Sequence, residues 1–350
     1  NRDMITTLND KTKSAHHTVP KMYLKGFLDD NGHITLWERT TGILKRKAVK
    51  YASTTKGYYT ILDENGDETD AVENLYMKVE NDAKPILEKM TCICPQIPSF
   101  CSYERMIFAQ YLAMQFARTK SSRRKNQLIY DHHFKMMTML DLIYKKTPLT
   151  EEQAKFLENP HQFGEFCQSQ DLLSIQELES ANKFEPFFRL RPWVVMVFNE
   201  PCLITSDTPI FLVSNKELEG IPGNGLATAA EFWFPLDNSH LLIMGGPICS
   251  YPLRQDRIIY PNKSPLLKQI MKHCARSSND AQITNCRMEA YGQKGLLKKY
   301  EGKPLPKRAP FATEEKTILD SYYNEAKMDL EPIMGHGKSA SEIFSKHKRN

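Results

Sequence analysis

The chain of 350 residues is sparing with glycine, at 16 residues, and holds none of the glycine-built phosphate cradles. There is no G-x-x-x-x-G-K-[ST], and no G-x-G-x-x-G follows a strand. That argues against a nucleotide site made of backbone amides at a helix N-terminus. The G-x-S-x-G elbow and the H-E-x-x-H zinc helix are also missing, so no familiar catalytic signature names a reaction. No window approaches eighteen consecutive apolar residues, which excludes a hydrophobic membrane helix. The opening NRDMITTLNDKTKSAHH has no apolar stretch of the kind a secretory signal needs. Eight cysteines are scattered without a C-x-x-C pair. They suit reduced, buried thiols and predict a cytoplasmic protein. Only Cys92, Cys94 and Cys101 cluster, at a spacing poor for zinc. Internal repeats and low-complexity tracts are absent as well.

What is present is the composition of a globular protein, 41% hydrophobic and 25% charged, long enough for one large domain or two ordinary ones. Lys and Arg total 47 against 42 Asp and Glu, a net charge of +5. The excess is uneven. Arg118, Lys120, Arg123, Arg124 and Lys125 form one acid-free run, and Lys294, Lys298, Lys299, Lys303, Lys307 and Arg308 form a second, with only Glu301 opposing. Such clusters are solvated surface or a hold on phosphate, so nucleic acid is the macromolecular partner they suggest.

Hydrophobic periodicity predicts an α+β chain with antiparallel sheets and a central buried helical bundle. Residues 1–14 read as a flexible lead. A single domain spans 15–300, with a hairpin and helices over 15–190 and antiparallel strands and helices over 191–300. A C-terminal helix and mobile basic tail fill 301–350. HITLWER and ILKRKAVKY make the first hairpin, and GYYTILDENGDET adds a third strand. Asp70 stands as the cap of a helix over 71–90, which Pro85 should kink or break. The next helix, 102–120, is apolar nearly all round. Its polar residues Glu104, Tyr111, Gln115 and Arg118 follow one stripe with Phe108 and therefore need partners. His132 and His133 lie on a further helix, where adjacent residues diverge and cannot share an ion. RPWVVMVFNEPCLITSDTPIFLV reads as a hairpin turning at Asn199-Glu200-Pro201. EFWFPLDNSHLLIMGG is another hairpin, and residues 264–291 hold one or two helices with Asn279 and Asp280 as a cap between them.

The stretch of greatest interest is AHHTVPKMYLKGF, residues 15–27. His16 and His17 precede Pro20, after which Met22, Tyr23, Leu24 and Phe27 have helical spacing. In an extended entry segment, adjacent side chains point to opposite sides, so one histidine can pack inward while its neighbour faces a site. This motif, the acidic helix with Glu73 and Glu80, the span from Arg105 to Arg118 and the later ITSDTP at 204–209 together resemble the family called domain of unknown function 4238. The likeness covers roughly residues 15–290. It implies a common fold and a shared site, and it implies no activity.

The candidate centre is drawn from separated segments: His16, His17, Glu73, Glu80, Arg118, Ser206 and Asp207, with Tyr111, Gln115, Lys120, Arg123 and Arg124 as ligand-binding residues. Imidazole beside carboxylates suits general acid–base work or the binding of a divalent metal, and the residues name no cofactor beyond that. Arginine suits an oxyanion. The leading expectation is a hydrolase acting on a phosphodiester, a nuclease of defence or toxin type. A histidine is its base, Asp207 or a glutamate orients that base or holds metal, and Arg118 grips phosphate. The alternative is a non-catalytic binding or sensor module for an anionic ligand or nucleic acid. A third reading makes the same residues an internal structural network, with Asp207 forming an Asx turn before Pro209.

Overall fold

The computed structural model describes residues 15–127, 170–213, 226, 229–246 and 255–307. The chain divides into two units, residues 1–121 with 170–308 and residues 122–169 with 309–350. The elements below belong to the first. Of the second, residues 122–127 are described and are helical. The expectations for residues 1–14, for the helix bearing His132 and His133, and for the C-terminal helix and basic tail fall outside the described residues.

The architecture is α+β. The first sheet has β1 (His16–His17) antiparallel to β4 (Thr54–Thr55). Between them lie α1 (Lys21–Leu24), β2 (His33–Glu38) and β3 (Leu44–Ala48). β5 (Ile61–Leu62) and β6 (Glu68–Thr69) make a small hairpin around Gly66. Helices α2 (Ala71–Met90), α3 (Tyr103–Ala117) and α4 (Gln170–Arg189) pack together. β7 (Trp193–Val197), β9 (Phe211–Val213), β10 (Glu231–Pro235), β11 (His240–Gly245) and β12 (Arg257–Ile259) form a five-stranded sheet in the order β12-β7-β11-β10-β9. Only the β12–β7 pairing in it is parallel. A four-stranded antiparallel sheet runs β3-β2-β13-β8, where β8 is Thr205–Ser206 and β13 is Glu289–Gly292. α5 (Pro265–Asn285) and the short α6 (Lys294–Leu297) complete the unit. No helix among the described residues is long and apolar enough to cross a membrane.

Three local expectations are corrected. The segment 193–213 is not a hairpin, because β7 and β8 join different sheets. The chain between them is carried off by the β10–β11 turn, where the Asn238 carbonyl accepts from both Cys202 and Leu203. α5 is one helix, capped at its start by Ser264 with Pro265 in the first turn. Asn279 does not cap anything. Its Oδ1 accepts from the Ile204 N–H at 3.0 Å and its Nδ2 donates to the Cys202 carbonyl at 2.8 Å, so the side chain pins the crossing strand to the helix. α2 is not broken at Pro85, since burial of Ala83, Ile86, Leu87 and Met90 holds the turn that lost one N–H.

The core sits between the helices and the five-stranded sheet, around Tyr23, Phe27, Phe108, Leu112, Trp193, Phe232 and Phe234. Arg105 is wholly buried among them. It forks onto Asp256, and its remaining donors reach the carbonyls of Pro98, Arg189 and Arg191, with the guanidinium 4.1 Å from the Trp193 ring. A buried cation with every donor engaged is a tie between α3 and the sheet edge.

Candidate functional site

The two histidines are separated by the strand geometry of β1. His16 is fully buried, and its Nδ1 accepts the Tyr59 N–H at 2.8 Å. The ring proton is therefore on Nε2, which lies 3.1 Å from Asp70 Oδ1. Asp70 also accepts from the Thr60 hydroxyl at 3.0 Å, and it makes no side-chain cap on α2. His16 Nδ1 is thus spent on holding the 58–70 segment, while Nε2 lies within ion-pair distance of Asp70 without making a hydrogen bond.

His17 differs. It is half-buried, and the Lys50 carbonyl accepts from its ring. Nε2 lies in the interior with no hydrogen-bond partner, so the donor to Lys50 is Nδ1. Burial lowers its pKa below the ordinary imidazole range, the Glu80 charge opposes that, and Lys21 and Arg118 reinforce it. The side chain is a neutral imidazole with an open lone pair, in the field of one carboxylate and two cations.

Arg118 caps the C-terminus of α3 and is 1% exposed. Its Nη1 donates to Glu80 Oε1 at 2.8 Å, while Nε and Nη2 reach Gln115 Oε1 at 3.2 and 2.9 Å. The Tyr76 ring lies 4.9 Å from the guanidinium. Gln115 passes the network to β1 by donating from Nε2 to the Thr18 carbonyl at 3.4 Å. Tyr111 is buried with its hydroxyl unpartnered. Burial drives its pKa far up, Arg118 pulls it down and Glu80 adds to the rise, which brings that hydroxyl to the same pair of charges. Tyr59 feels Arg118 in the same way. His17, Glu80, Tyr111, Gln115 and Arg118 therefore share one buried polar centre.

The other predicted residues stand elsewhere. Glu73 is buried in the first turn of α2. Ser206 donates to Gln282 Oε1 at 2.5 Å and accepts the Thr208 N–H at 3.1 Å. Asp207, 4% exposed, accepts the backbone N–H groups of Arg287 and Met288 at 2.7 Å each and of Glu289 at 3.3 Å. Burial raises its pKa, against those three bonds and the charge of Lys120. Arg123 and Arg124 belong to the second unit, in which Arg124 donates to Gln127. Glu104 lies exposed, paired with Lys89 rather than continuing the buried stripe.

Among the described residues, no three His, Cys, Asp or Glu side chains converge into a group that could hold a metal ion. His16 Nδ1, Glu80 Oε1 and both Asp207 oxygens accept from Tyr59, Arg118 and backbone N–H groups respectively. The donor set described does not fit a divalent cation.

A protein-family model described as "Protein of unknown function (DUF4238)" matches residues 15–295. The chain belongs to the DUF4238 family. Neither a curated protein nor a solved structure matches it. In this DUF4238 chain two of the motifs that carried the resemblance, the first and the last, are bonded to each other. The Tyr23 hydroxyl donates to the Pro235 carbonyl at 2.7 Å and lies 2.7 Å from Thr205 Oγ1, in the residue just before Ser206. Gly26 is explained by close approach, because a Cβ there would sit 2.7 Å from the Asp237 Cβ.

Sequence reasoning missed Ser53, the only described non-glycine residue at positive φ, +55°. Its Oγ accepts the Val19 N–H at 3.1 Å, lies 2.8 Å from Thr18 Oγ1 and bonds the Tyr291 hydroxyl. It joins β1 of this DUF4238 domain to β13. Nothing in ASTT signals a left-handed turn, since glycine or asparagine is the usual occupant.

Proposed function

We propose that this protein is a hydrolase acting on a phosphodiester, a nuclease of defence or toxin type, with His17 as its general base. The observation that carries the reading is the unpartnered Nε2 of a neutral, anchored imidazole beside the Arg118–Glu80 pair. Nε2 removes a proton from the attacking water, the new O–P bond forms, and the P–O bond to the leaving oxygen breaks. The imidazolium then returns its proton to that oxygen. Arg118, oriented by Gln115 and Glu80, and the Tyr111 hydroxyl, kept protonated by burial, face the charge that grows on phosphate. Ser206, Asp207 and His16 are scaffold in this reading. The cytoplasm is the compartment it assigns, in keeping with free cysteines at 92, 94, 101, 202, 274 and 286.

The second reading, a non-catalytic module for an anionic ligand or nucleic acid, draws on the Arg118 donors already fixed in place without a ligand. One incubation separates the two. Wild type and His17→Ala are mixed with RNA, DNA and nucleotides in magnesium, manganese or EDTA. Product from wild type alone supports the hydrolase. Silence from both proteins, each melting cooperatively, overturns it in favour of the module.

A further inference from the structure

The segments on either side of His17 are rich in cations. From Arg39 to Leu62 the chain contains Lys45, Arg46, Lys47, Lys50 and Lys56 and not one acidic residue, and from Lys11 to Leu28 it likewise contains none. Two of these cations are committed nearby: Lys45 to Glu38 at 2.7 Å and Arg46 to Asp29 at 2.8 Å. Lys21, Lys50 and Lys56 are exposed and have no acidic partner among the described residues.

The fold gathers those three. α1, which begins with Lys21, packs against the turn at 49–51. Lys50 supplies the carbonyl that anchors the His17 ring, and the Lys21 charge acts on that ring. Lys56 follows Thr55, the register partner of His16. Beside them Tyr51 is 59% exposed, with Lys50 Nζ 4.7 Å from its ring centroid. An outward aromatic among unpaired ammonium groups is how single-stranded nucleic acid is held without sequence preference, cations tracking phosphates and a ring accepting a base.

We propose that Lys21, Lys50, Tyr51 and Lys56 form a docking strip for single-stranded nucleic acid that delivers a backbone phosphate to His17. Delivery to His17 rests on the hydrolase reading above, whereas binding along the strip does not. A flexible strand fits better than a duplex, since a base must be free to stack on Tyr51.

The test is fluorescence anisotropy of the full chain, carrying His17→Ala to prevent turnover, with labelled single-stranded RNA and DNA oligomers over a salt series. Replacing Lys21, Lys50 and Lys56 together by Gln should lower the slope of log K against log salt by about 2, at about 0.7 for each phosphate no longer neutralised, and weaken binding at least about tenfold. Tyr51→Ala should weaken it about tenfold with the slope unchanged. Replacing Lys294, Lys298 and Lys299 by Gln removes equal charge at a separate basic cluster and should alter neither quantity. The single changes Lys50→Gln and Lys56→Gln, each expected to remove about 0.7 of slope, read the same effect should the triple variant melt early. The proposal is overturned by a parent chain that binds no oligomer, by an unchanged slope, or by equal losses in the control triple. A mononucleotide or inorganic phosphate that binds as tightly as the oligomer also overturns it. Cleavage is then measured in the otherwise wild-type chain. Binding through the strip with no cleavage leaves the strip standing and removes the hydrolase, while cleavage untouched by the strip variants does the reverse.

Discussion

Arg118 and Glu80 meet at 2.8 Å with unequal access to water, the arginine side chain 1% exposed and the glutamate 18%. The cost of breaking the pair should be equally unequal. Glu80→Ala strands a buried guanidinium and should lower unfolding free energy by about 3–5 kcal/mol. Arg118→Ala leaves a carboxylate that solvent can partly reach and should cost less, despite removing more atoms. Urea unfolding of both single variants and the double gives the comparison. A larger loss for Arg118→Ala would mean that packing on Tyr76, rather than charge, dominates.

The two adjacent histidines should separate cleanly on substitution. His16→Ala removes the acceptor for the Tyr59 N–H and the neighbour of Asp70 and should cost more than about 2 kcal/mol. His17→Ala should cost less than about 1 kcal/mol while abolishing whatever turnover the chain has. Thermal melts beside the cleavage assay decide this.

His17 also predicts a pH dependence of known sign. Its pKa is depressed in the folded chain from the ordinary 6.5. On acidification the unfolded chain takes up the proton first, so stability is complete above about 6.5 and falls as pH drops toward the folded value, by about 1.4 kcal/mol per unit of depression. The slope between His17→Gln and wild type in this window should be the difference. Activity should likewise persist below pH 6.5, because the base stays neutral there, and an acid limb at or above 6.5 would contradict the assignment.

Asp207→Ala should uncover the N–H groups of Arg287, Met288 and Glu289 together and cost more than about 2 kcal/mol. Affinity for a ligand, scored in protein that remains folded, should be unaffected. A variant that melts like wild type yet loses activity would return Asp207 to the chemistry.

Ser53 offers a test of backbone strain against hydrogen bonding. Ser53→Ala keeps the Cβ at φ +55° and loses the hydroxyl, whereas Ser53→Gly loses both. Glycine should be the milder change, by about 1 kcal/mol, even though it removes more of the side chain.

Much of this fold is written in local pattern. The alternation of HITLWE, the apolar wrap of α3 and the β-branched run of β7 each specify their element from within, and the α+β class follows. Partner choice is less local. β7 and the strand after it read as a hairpin because the turn residues at 199–201 invite one, and the Asn238 carbonyl and the Asn279 side chain, far along the chain, carry the segment elsewhere. In the site, a histidine pair ahead of a proline predicts one ring packed inward and its neighbour turned to the opposite side, and Arg118 with Gln115 reads as a buried polar pair in need of partners. The role of Asp207 was illegible because its partners are backbone N–H groups, which no side-chain pattern records. Glu104 misled for a related reason: a helix apolar on every side offers no polar face to fix its phase, and its first turn leaves the core.

The pairing of β2 with β13 has a kinetic meaning. Trp37 and Ala290 are register partners, and Thr205 and Ser206 dock on the far side of the same strand. The sheet beside the histidine segment therefore cannot close until nearly all of the described chain has been synthesised. Contacts so distant in sequence make for slow folding with late consolidation. A ribosome-bound nascent chain lacking β13 would carry the histidine segment without Tyr291 to hold Ser53, so the local structure around β1 is completed with the last strand rather than growing with chain length.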